Sequence, residues 1–354
     1  RPPRSTLFPY TTLFRSTTAK ELVVLDGRTG ELEKTLKGLG EPIAFAVANL
    51  RGLGDRDLIL QYDLTHLRAI SAEDGSMLWE TNEYRAIEHS PLRQADLDGD
   101  GLDEVAGATL IDHDGKRMHE WELETRHESM DSIVIADVIP GGPLEVAMAE
   151  QRGANSRTVV INQEEILWCQ LNPWNWEDPD KLAIGDFDPG RPGLEVFNRS
   201  SGGDGVAPRG REEPYRYEEA PWVWDSAGGL LAKYYINDSK PAWWTGHGIE
   251  EISRIDWDGD DQDELAAQER HKAGAGAVLD ALTGRFEVVF PARSVRLYAV
   301  DFEGDSREEV IILDEAGLIR ILSNTNPNPH AAKPSSWARS EYRRQKQNWN
   351  YYSP

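Results

Sequence analysis

Two features are nearly absent from this 354-residue sequence: cysteine and long apolar runs. Its one cysteine, Cys169, excludes an internal disulfide framework and a zinc cluster built from cysteines. No apolar stretch approaches the roughly 20 residues that a membrane-spanning helix needs. Basic runs are also missing, since 38 Lys and Arg stand against 62 Asp and Glu, a net charge of −24. We therefore expect no nucleic acid and no membrane as partners, because both kinds of surface require clustered basic residues.

The first 16 residues are not typical of a natural protein segment. Thr6–Ser16, with the sequence TLFPYTTLFRS, resembles the translation of a sequencing adapter, so residues 1–16 are set aside as an artefact. The natural N-terminus is then expected to be missing. For that reason the sequence does not show whether a signal peptide precedes this chain.

The remaining sequence repeats a pattern of apolar residues, an acidic turn and a second apolar run. Six acidic or amide anchors mark the repeats: Asn49, Asp96, Asp137, Asp186, Asp256 and Asp301. Their spacings are 47, 41, 49, 70 and 45 residues, and four of these lie near the period of about 45 expected of propeller blades. The long spacing indicates an insertion. We assign it to about residues 200–219, which are rich in glycine, proline and charge and lack periodicity.

A second element accompanies the repeats, namely alternating apolar residues around a turn such as DGRTG or AEDGS. This pattern is typical of a β-hairpin, so each repeat is predicted to be a four-stranded antiparallel sheet. We predict an all-β protein, a β-propeller of about seven four-stranded blades with six to eight possible. A parallel β-solenoid and separate sandwiches are the alternatives, but a period near 45 is long for one solenoid coil.

The predicted propeller covers residues 17–335, and residues 336–354 are expected to form a tail that packs on it. The hairpin at Leu22–Leu36 has no inner strands of its own, and the last repeat has no clear outermost strand. A ring must close to hide its strand edges, so we expect these two incomplete ends to pair.

Three of the acidic turns place oxygen ligands at regular intervals. The clearest reads DLDGDGLDE, with carboxylates at positions 1, 3, 5 and 9 and a backbone carbonyl available at position 7. Calcium takes about six to eight oxygen ligands, and this spacing wraps a loop around one ion. The predicted structural Ca²⁺ ligands are Asp96, Asp98, Asp100, the carbonyl of Leu102 and Glu104; Asp256, Asp258, Asp260 and Glu264; and Asp301, Glu303, Asp305 and Glu309. Plain acidic turns without metal are the alternative.

These turns resemble the FG-GAP-like calcium repeats of propeller-type polysaccharide lyases, such as rhamnogalacturonan lyases and related rhamnose–uronate lyases. The C-terminal sequence ARSEYRRQKQNWNYYSP is also similar to the closing segment of such secreted propellers. The resemblance implies a secreted enzyme, extracellular or periplasmic, that cleaves an anionic polysaccharide by β-elimination, and we expect it to be a monomer. Integrin-type propellers share the turn motif without catalysis, so the motif indicates the fold more than the chemistry.

Propeller geometry places the loops opposite the acidic turns on one face. Five of the eight histidines fall in these loops, together with arginine, glutamate and tryptophan. Such a collar suits an anionic polysaccharide, because tryptophan stacks on sugar faces and arginine binds carboxylates bidentately. The predicted substrate-binding residues are Trp243, Trp244, Trp174, Trp176, Arg199, Lys272 and Arg293.

A uronate lyase needs a cation at the carboxylate, a base for the C5 proton and an acid for the leaving oxygen. Histidine suits both proton transfers. The candidate catalytic residues are His247 and His89 as base and acid, Arg270 or Arg152 as the neutralising cation, His271 and His66 in reserve, and Tyr62 as a further acid.

Three alternatives stay open. The histidines of this face are candidate ligands for Zn²⁺, although no HxH or HxxxH spacing supports such a site. Paired carboxylates would instead indicate a glycoside hydrolase, with Glu88, Glu128, Glu150 and Glu269 as candidates. A non-catalytic glycan- or protein-binding propeller is the third alternative. His113, His119 and His330 lie apart from this face and are expected to be structural or solvated.

Overall fold

The computed structural model describes residues 21–26, 29–87, 92–123, 130–150, 156–174, 179–200, 220–242, 244, 249–269, 274–290 and 293–347. Within these residues the chain forms 25 β-strands, two short 3-10 turns and one α-helix, α1 (Ser340–Gln347). None of the described helices is long and apolar enough to cross a membrane. The predicted insertion at about residues 200–219 lies almost wholly outside the described residues.

The strands form seven antiparallel sheets that follow one another along the chain. The first sheet contains β1 (Glu21–Leu25) and β2 (Leu32–Lys37). The second contains β3 (Ala44–Ala48), β4 (Asp57–Gln61), β5 (Leu67–Ser71) and β6 (Met77–Thr81). The third contains β7 (Arg93–Ala95), β8 (Glu104–Ala106), β9 (Thr109–Ile111) and β10 (Arg117–Glu120). The fourth contains β11 (Met130–Ala136), β12 (Glu145–Glu150), β13 (Arg157–Ile161) and β14 (Ile166–Leu171).

The later sheets continue this order. The fifth contains β15 (Pro179–Gly185), β16 (Glu195–Ser200), β17 (Trp222–Trp224) and β18 (Leu230–Lys233). The sixth contains β19 (Ile249–Ile255), β20 (Glu264–Glu269), β21 (Gly276–Leu279) and β22 (Phe286–Val289). The seventh contains β23 (Ser294–Val300), β24 (Glu309–Asp314) and β25 (Ile319–Leu322). Five sheets therefore have four strands, one has three and one has two.

Apolar side chains between neighbouring sheets build the core. Six clusters of buried residues each join two consecutive sheets, from the first and second to the sixth and seventh. Strands β4, β12 and β20 are buried at every position because a neighbouring sheet covers each of their faces, whereas outer strands such as β10 are mostly exposed. Sheets that pack face to face in this order form a β-propeller, which confirms the predicted fold class.

The two incomplete ends do not pair as expected. Strands β1 and β2 form a sheet of their own, separate from the sheet of β23–β25 in the described part of the chain. Leu22, Val24 and Leu36 of this hairpin pack against Leu58 and Leu60 of β4. The apolar face of the hairpin therefore packs on the next sheet along the chain, as the faces of the later sheets do.

Aromatic side chains join the outer edges of adjacent sheets through a repeated hydrogen bond, which we call the aromatic latch. The indole N–H of Trp79 on β6 donates to the carbonyl of His113, in the turn between β9 and β10, at 2.7 Å. Gly115 in this turn has φ +87°, and a Cβ atom there would lie 2.7 Å from the Trp79 ring. The following sheets repeat the latch: Trp121 to Asn162 at 3.0 Å, Trp168 to Ser226 at 3.0 Å, and Tyr234 to Ala281 at 2.8 Å.

The C-terminal segment lies across the acidic-turn end of the inner strands. Tyr342 of α1 is 1% exposed and donates its hydroxyl to Glu308 at 2.8 Å, and Lys346 lies 3.0 Å from the same carboxylate. Gln345 donates to the carbonyl of Ile135 on β11 at 3.0 Å. Helix α1 therefore occupies the hub of the propeller at this end. A cavity of about 680 Å³ lies between this segment and the acidic turns of the fifth and sixth sheets.

Candidate functional site

The first acidic turn curls around its own carboxylates. Oδ1 and Oδ2 of Asp96 accept the backbone N–H groups of Gly99 at 2.8 Å and Gly101 at 3.0 Å. Asp98 accepts the N–H of Asp100 at 3.0 Å. These short-range bonds follow from the DLDGDG sequence, because Asp side chains bond the backbone two or three residues on and glycine accepts the turn geometry. They orient the carboxylates of Asp96 and Asp98 within one loop.

The second predicted turn has the same frame. Asp256 accepts the N–H of Gly259 at 2.8 Å, and Asp258 accepts the N–H of Asp260 at 3.2 Å. Ligand atoms of Asp258, Asp260 and Glu264 lie within 4.8 Å of one another, as do those of Asp96, Asp98 and Glu104 in the first turn. Each of these clusters thus contains three of the four predicted carboxylates of its turn, without Asp100 in the first and without Asp256 in the second.

The ninth residue of each turn begins the second strand and is buried there. Oε2 of Glu104 accepts the N–H of Leu97 at 2.7 Å, and Oε2 of Glu309 accepts the N–H of Phe302 at 2.8 Å. The Oε1 atoms of Glu104 and Glu309 are buried and have no hydrogen-bond partner in the described structure. A buried carboxylate oxygen without a partner is costly, so these turns fit an oxygen-liganded cation.

Burial also changes the acidity of the turn carboxylates. It raises the pKa of Glu104 to about 8 and the pKa of Glu264 to about 9. Burial, with the nearby charge of Asp263, raises the pKa of Asp256 to about 7. Each shift means that the ionised form is disfavoured without a compensating positive charge. A divalent cation would supply that charge.

The third predicted turn uses its first ligand differently. Oδ2 of Asp301 accepts the hydroxyl of Ser335 at 2.7 Å and the N–H of Ser336 at 2.8 Å, and Oδ1 accepts the N–H of Gly304 at 2.6 Å. No cluster of three ligand atoms within 4.8 Å forms around Asp301 among the described residues. Asp301 thus anchors the C-terminal segment, and this turn fits a cation less well than the other two.

Most predicted residues of the opposite face lie outside the described residues. These are His247, His89, Arg270, Arg152, His271, Trp243, Trp176 and Lys272. Glu88 and Glu128 lie outside them as well. The convergence of these side chains stays a prediction. The structure does describe Tyr62, His66, Trp174, Trp244, Arg199 and Arg293.

Tyr62 and His66 lie together at the turn between β4 and β5. Their rings stack with centroids 4.9 Å apart, and the guanidinium carbon of Arg68 lies 5.1 Å from the Tyr62 centroid. Nε2 of His66 is 2.7 Å from Oε1 of Glu80, which also accepts a hydrogen bond from Arg68 at 2.9 Å. These hydrogen bonds, from Arg68 first and then His66, lower the pKa of Glu80. Glu80 therefore holds the imidazole in place as an ionised acceptor.

The hydroxyl of Tyr62, a predicted acid, has a backbone partner in the structure. Its hydroxyl donates a hydrogen bond to the carbonyl of Leu39. Burial raises the pKa of Tyr62, with Glu80 adding to the shift and Arg68 opposing it. In the described conformation the phenol proton is directed to the backbone, and the acid role of Tyr62 stays a prediction.

Two predicted substrate-binding residues are buried, which corrects the prediction. Trp244 is 1% exposed and packs edge-on against Phe286 with ring centroids 5.0 Å apart. Arg199 is 0% exposed and donates through Nε to the carbonyl of Ile249. The apolar core between the fifth and sixth sheets holds the indole, and a strand carbonyl binds the guanidinium. Neither side chain is accessible to a sugar or a uronate.

Trp174 and Arg293 remain at least partly accessible. The Trp174 ring is half-buried, with the Tyr235 ring 4.8 Å away and Nζ of Lys233 4.5 Å from its centroid. Arg293 is exposed and lies 3.5 Å from Glu315. Both residues are consistent with the predicted contact to an anionic polysaccharide. Glu150 and Glu269, the described members of the hydrolase alternative, are each only 6% exposed.

One functional candidate, His113, was not predicted from the sequence. A ring nitrogen of His113 and carboxylate oxygens of Asp100 and Glu104 lie within 4.8 Å of one another. The sequence pattern indicated only a structural or solvated histidine. Its position in the turn between β9 and β10 could have indicated this cluster. The pairing of β8 with β9 brings that turn to the same end of the sheet as the acidic turn before β8.

No protein-family model matches the sequence. Over 350 residues the chain is 25% identical to the rhamnogalacturonan endolyase YesW of Bacillus subtilis (strain 168), a match that covers 91% of this chain and 50% of the relative. The chain thus spans about half the length of the curated relative that it matches. The crystal structure of the exotype rhamnogalacturonan lyase YesX superposes with a TM-score of 0.68 at 22% identity, covering 96% of this chain and 59% of that one.

The Bacillus licheniformis rhamnogalacturonan lyase PL11 gives a TM-score of 0.63 at 21% identity, covering 94% of this chain and 57% of that one. At these identities the two superpositions establish the fold. The chain is therefore similar in sequence to a rhamnogalacturonan endolyase and shares the β-propeller fold of solved rhamnogalacturonan lyases.

Proposed function

We propose that this propeller belongs to a polysaccharide lyase that cleaves a rhamnose- and uronate-containing polysaccharide by β-elimination. The observation that carries the proposal is the similarity to the endolyase YesW, which extends over 91% of this chain at 25% identity. The partly exposed Trp174 and the exposed Arg293 add an aromatic surface and a cation that suit an anionic sugar polymer. We place the enzyme outside the cytoplasm and expect a monomer.

The proposed reaction removes the C5 proton of a uronate and breaks the bond between C4 and the glycosidic oxygen. The electron pair of the C5–H bond forms the C4–C5 double bond, and the leaving oxygen receives a proton. We assign the two proton transfers to His247 and His89, and the neutralisation of the carboxylate to Arg270 or Arg152. His271 and His66 stay in reserve. His66 is oriented by Glu80 at 2.7 Å, which suits an imidazole that exchanges a proton.

We further propose that Ca²⁺ stabilises this scaffold. The first two acidic turns would hold it through Asp96, Asp98, Asp100, the carbonyl of Leu102 and Glu104, and through Asp256, Asp258, Asp260 and Glu264. The buried Oε1 of Glu104, which has no partner in the described structure, supports this assignment. The role of the ion is structural, because these turns lie at the opposite end of the strands from the loops with the predicted catalytic residues.

The test is to incubate the protein with rhamnogalacturonan, ulvan and gum-arabic-type polymers and to follow the ultraviolet absorbance of unsaturated uronate ends. We expect absorbance to rise with at least one polymer, and His247→Ala to abolish the rise without loss of folding. His119→Ala is the matched control, since His119 lies on the outer strand β10. Reducing ends without absorbance would indicate a hydrolase, and binding without cleavage would indicate a non-catalytic propeller. Either result overturns the proposal.

A further inference from the structure

We propose that His113 converts the first acidic turn into a mixed nitrogen–oxygen site for a divalent transition metal of the Zn²⁺ type. One ring nitrogen of His113 and carboxylate oxygens of Asp100 and Glu104 lie within 4.8 Å of one another. This site is independent of the proposed lyase activity. It would compete with Ca²⁺ for Glu104, which belongs to both ligand sets.

The backbone of His113 is held firmly next to the acidic turn. Asp112 donates its N–H to the carbonyl of Lys116 at 2.8 Å, and Gly115 donates to the carbonyl of Asp112 at 2.8 Å, so the turn is closed by two bonds. The aromatic latch from Trp79 binds the carbonyl of His113 at 2.7 Å. These bonds fix the backbone from which the His113 side chain extends. Nδ1 of its imidazole lies 2.7 Å from Asp112 and 3.8 Å from Asp100.

Glu104 provides a second and independent indication of a ligand. Its side chain is 0% exposed, and Oε2 accepts the N–H of Leu97 at 2.7 Å. Oε1 is buried without a hydrogen-bond partner in the described structure. A fully buried carboxylate oxygen requires a donor or a cation. Since Glu104 belongs to the cluster with His113 and Asp100, a metal between these three groups would meet that requirement.

The donor set decides which metal class fits. Calcium takes almost only oxygen ligands, whereas imidazole nitrogen suits Zn²⁺ and other first-row transition metals. Bonds of about 2.0–2.2 Å place tetrahedral ligand atoms roughly 3.4 Å apart, and Nδ1 of His113 lies 3.8 Å from Asp100, so a small side-chain rotation brings these two groups to that spacing. The side chains of His113 and Asp100 are 29% and 42% exposed and can make this adjustment. Water or a further carboxylate of the turn would complete the coordination.

The second acidic turn offers a built-in comparison within the same chain. Its neighbouring hairpin turn is one residue longer and is also closed by two backbone bonds: Asp280 donates to Arg285 at 2.9 Å and Gly284 donates to Asp280 at 2.8 Å. The residue after the turn aspartate is Ala281, where the first turn has His113. The second turn therefore presents only oxygen donors. We infer that the two turns differ in metal preference: Zn²⁺ displaces Ca²⁺ from the first turn when both ions are present, whereas the second turn stays a Ca²⁺ site.

The experiment is a calorimetric titration of the chelator-treated full chain with Zn²⁺ in excess Ca²⁺. We compare the wild type with His113→Ala, which removes the ligand, and His113→Gln, which replaces the nitrogen ligand by an oxygen ligand. We expect both variants to lose at least about tenfold in affinity at one Zn²⁺ site, with Ca²⁺ binding unchanged at the second turn. His330→Ala is the matched control, because His330 lies 3.4 Å from the single carboxylate of Asp261 and joins no ligand cluster among the described residues.

The difference between variants is the readout, since histidines elsewhere in the chain can also bind Zn²⁺. As an independent measure, Co²⁺ is added in place of Zn²⁺ and its visible absorption recorded. We expect a component of the spectrum to disappear in His113→Ala and to persist in His330→Ala. Equal Zn²⁺ affinity in wild type and His113→Ala would overturn the proposal. So would displacement of all bound Zn²⁺ by millimolar Ca²⁺.

Discussion

The guanidinium of Arg344 lies 2.6 Å from the carboxylate of Asp103, although the two residues are 241 positions apart in the chain. Arg344 also lies 2.8 Å from Asp55, and Asp103 accepts the N–H of Asn49 at 2.6 Å. One arginine of α1 thus links the C-terminal segment to the acidic turns of the second and third sheets. Among the described residues, the first and last sheets do not pair with each other. This ionic contact instead connects the C-terminal segment to the second and third sheets.

Removing the cation of this ion pair should destabilise the fold. The Arg344 and Asp103 side chains are 12% and 6% exposed, so Arg344→Ala leaves a nearly buried carboxylate without its cation. We expect a loss of about 3–5 kcal/mol in the free energy of unfolding, measured by urea denaturation. Arg117→Ala is the control, because Arg117 pairs with Glu120 on the surface and should change stability by about 0.5 kcal/mol or less. Equal effects of the two variants would contradict the linking role of Arg344.

Two glycines with the same backbone conformation provide a test of the aromatic latch. Gly115 has φ +87°, and a Cβ atom added there would lie 2.7 Å from a ring atom of Trp79, whereas Gly141 has φ +83° and no atom within 4 Å. Alanine costs about 1–2 kcal/mol at either site through the left-handed backbone. We expect Gly115→Ala to lose a further 1–3 kcal/mol or so in unfolding free energy, because it displaces the indole. Similar melting temperatures for both variants would count against the latch.

Removal of calcium should lower the thermal stability of the propeller. A chelator should reduce the melting temperature, and Ca²⁺ should restore it more effectively than Mg²⁺, which demands a tighter octahedral shell. A site with free ion at about 100 times its dissociation constant contributes about 2.7 kcal/mol. Glu264→Gln should reduce the Ca²⁺-dependent shift. Glu145→Gln should leave it intact, since Glu145 caps a turn at Val138 that keeps Asp137 but has no carboxylates at its third and fifth positions. A melting temperature that the chelator leaves unchanged would contradict a structural role for Ca²⁺.

His66 should contribute less to cleavage than the main proton-transfer residues. Nε2 of His66 is already 2.7 Å from Glu80, so only one of its nitrogens is available to a substrate. We expect His66→Ala to slow cleavage by less than about tenfold, and His247→Ala to slow it by roughly 100-fold to 10,000-fold, the usual range for general acid–base residues. The rate of appearance of unsaturated uronate measures both. An equally deep loss in His66→Ala would transfer the proton-transfer role to His66.

Most of the fold, but only part of the site, could be predicted from the sequence. The spacing of the six anchors predicted the sheets because each inner strand ends at the same kind of acidic turn. Burial could not be predicted in the same way: periodicity does not tell whether Trp244 faces a sugar or the next sheet, and tertiary packing decides it. The cluster of His113 with Glu104 was hidden because its members lie in different turns and strands, 9 positions apart, with no motif spacing.

Helix α1 has one further consequence for how a long ligand can approach. Gln345 and Lys346 contact the inner strands β11 and β19. Their side chains therefore obstruct the propeller axis at the acidic-turn end. A long polymer of any kind therefore cannot enter the axis of the described propeller from the acidic-turn end.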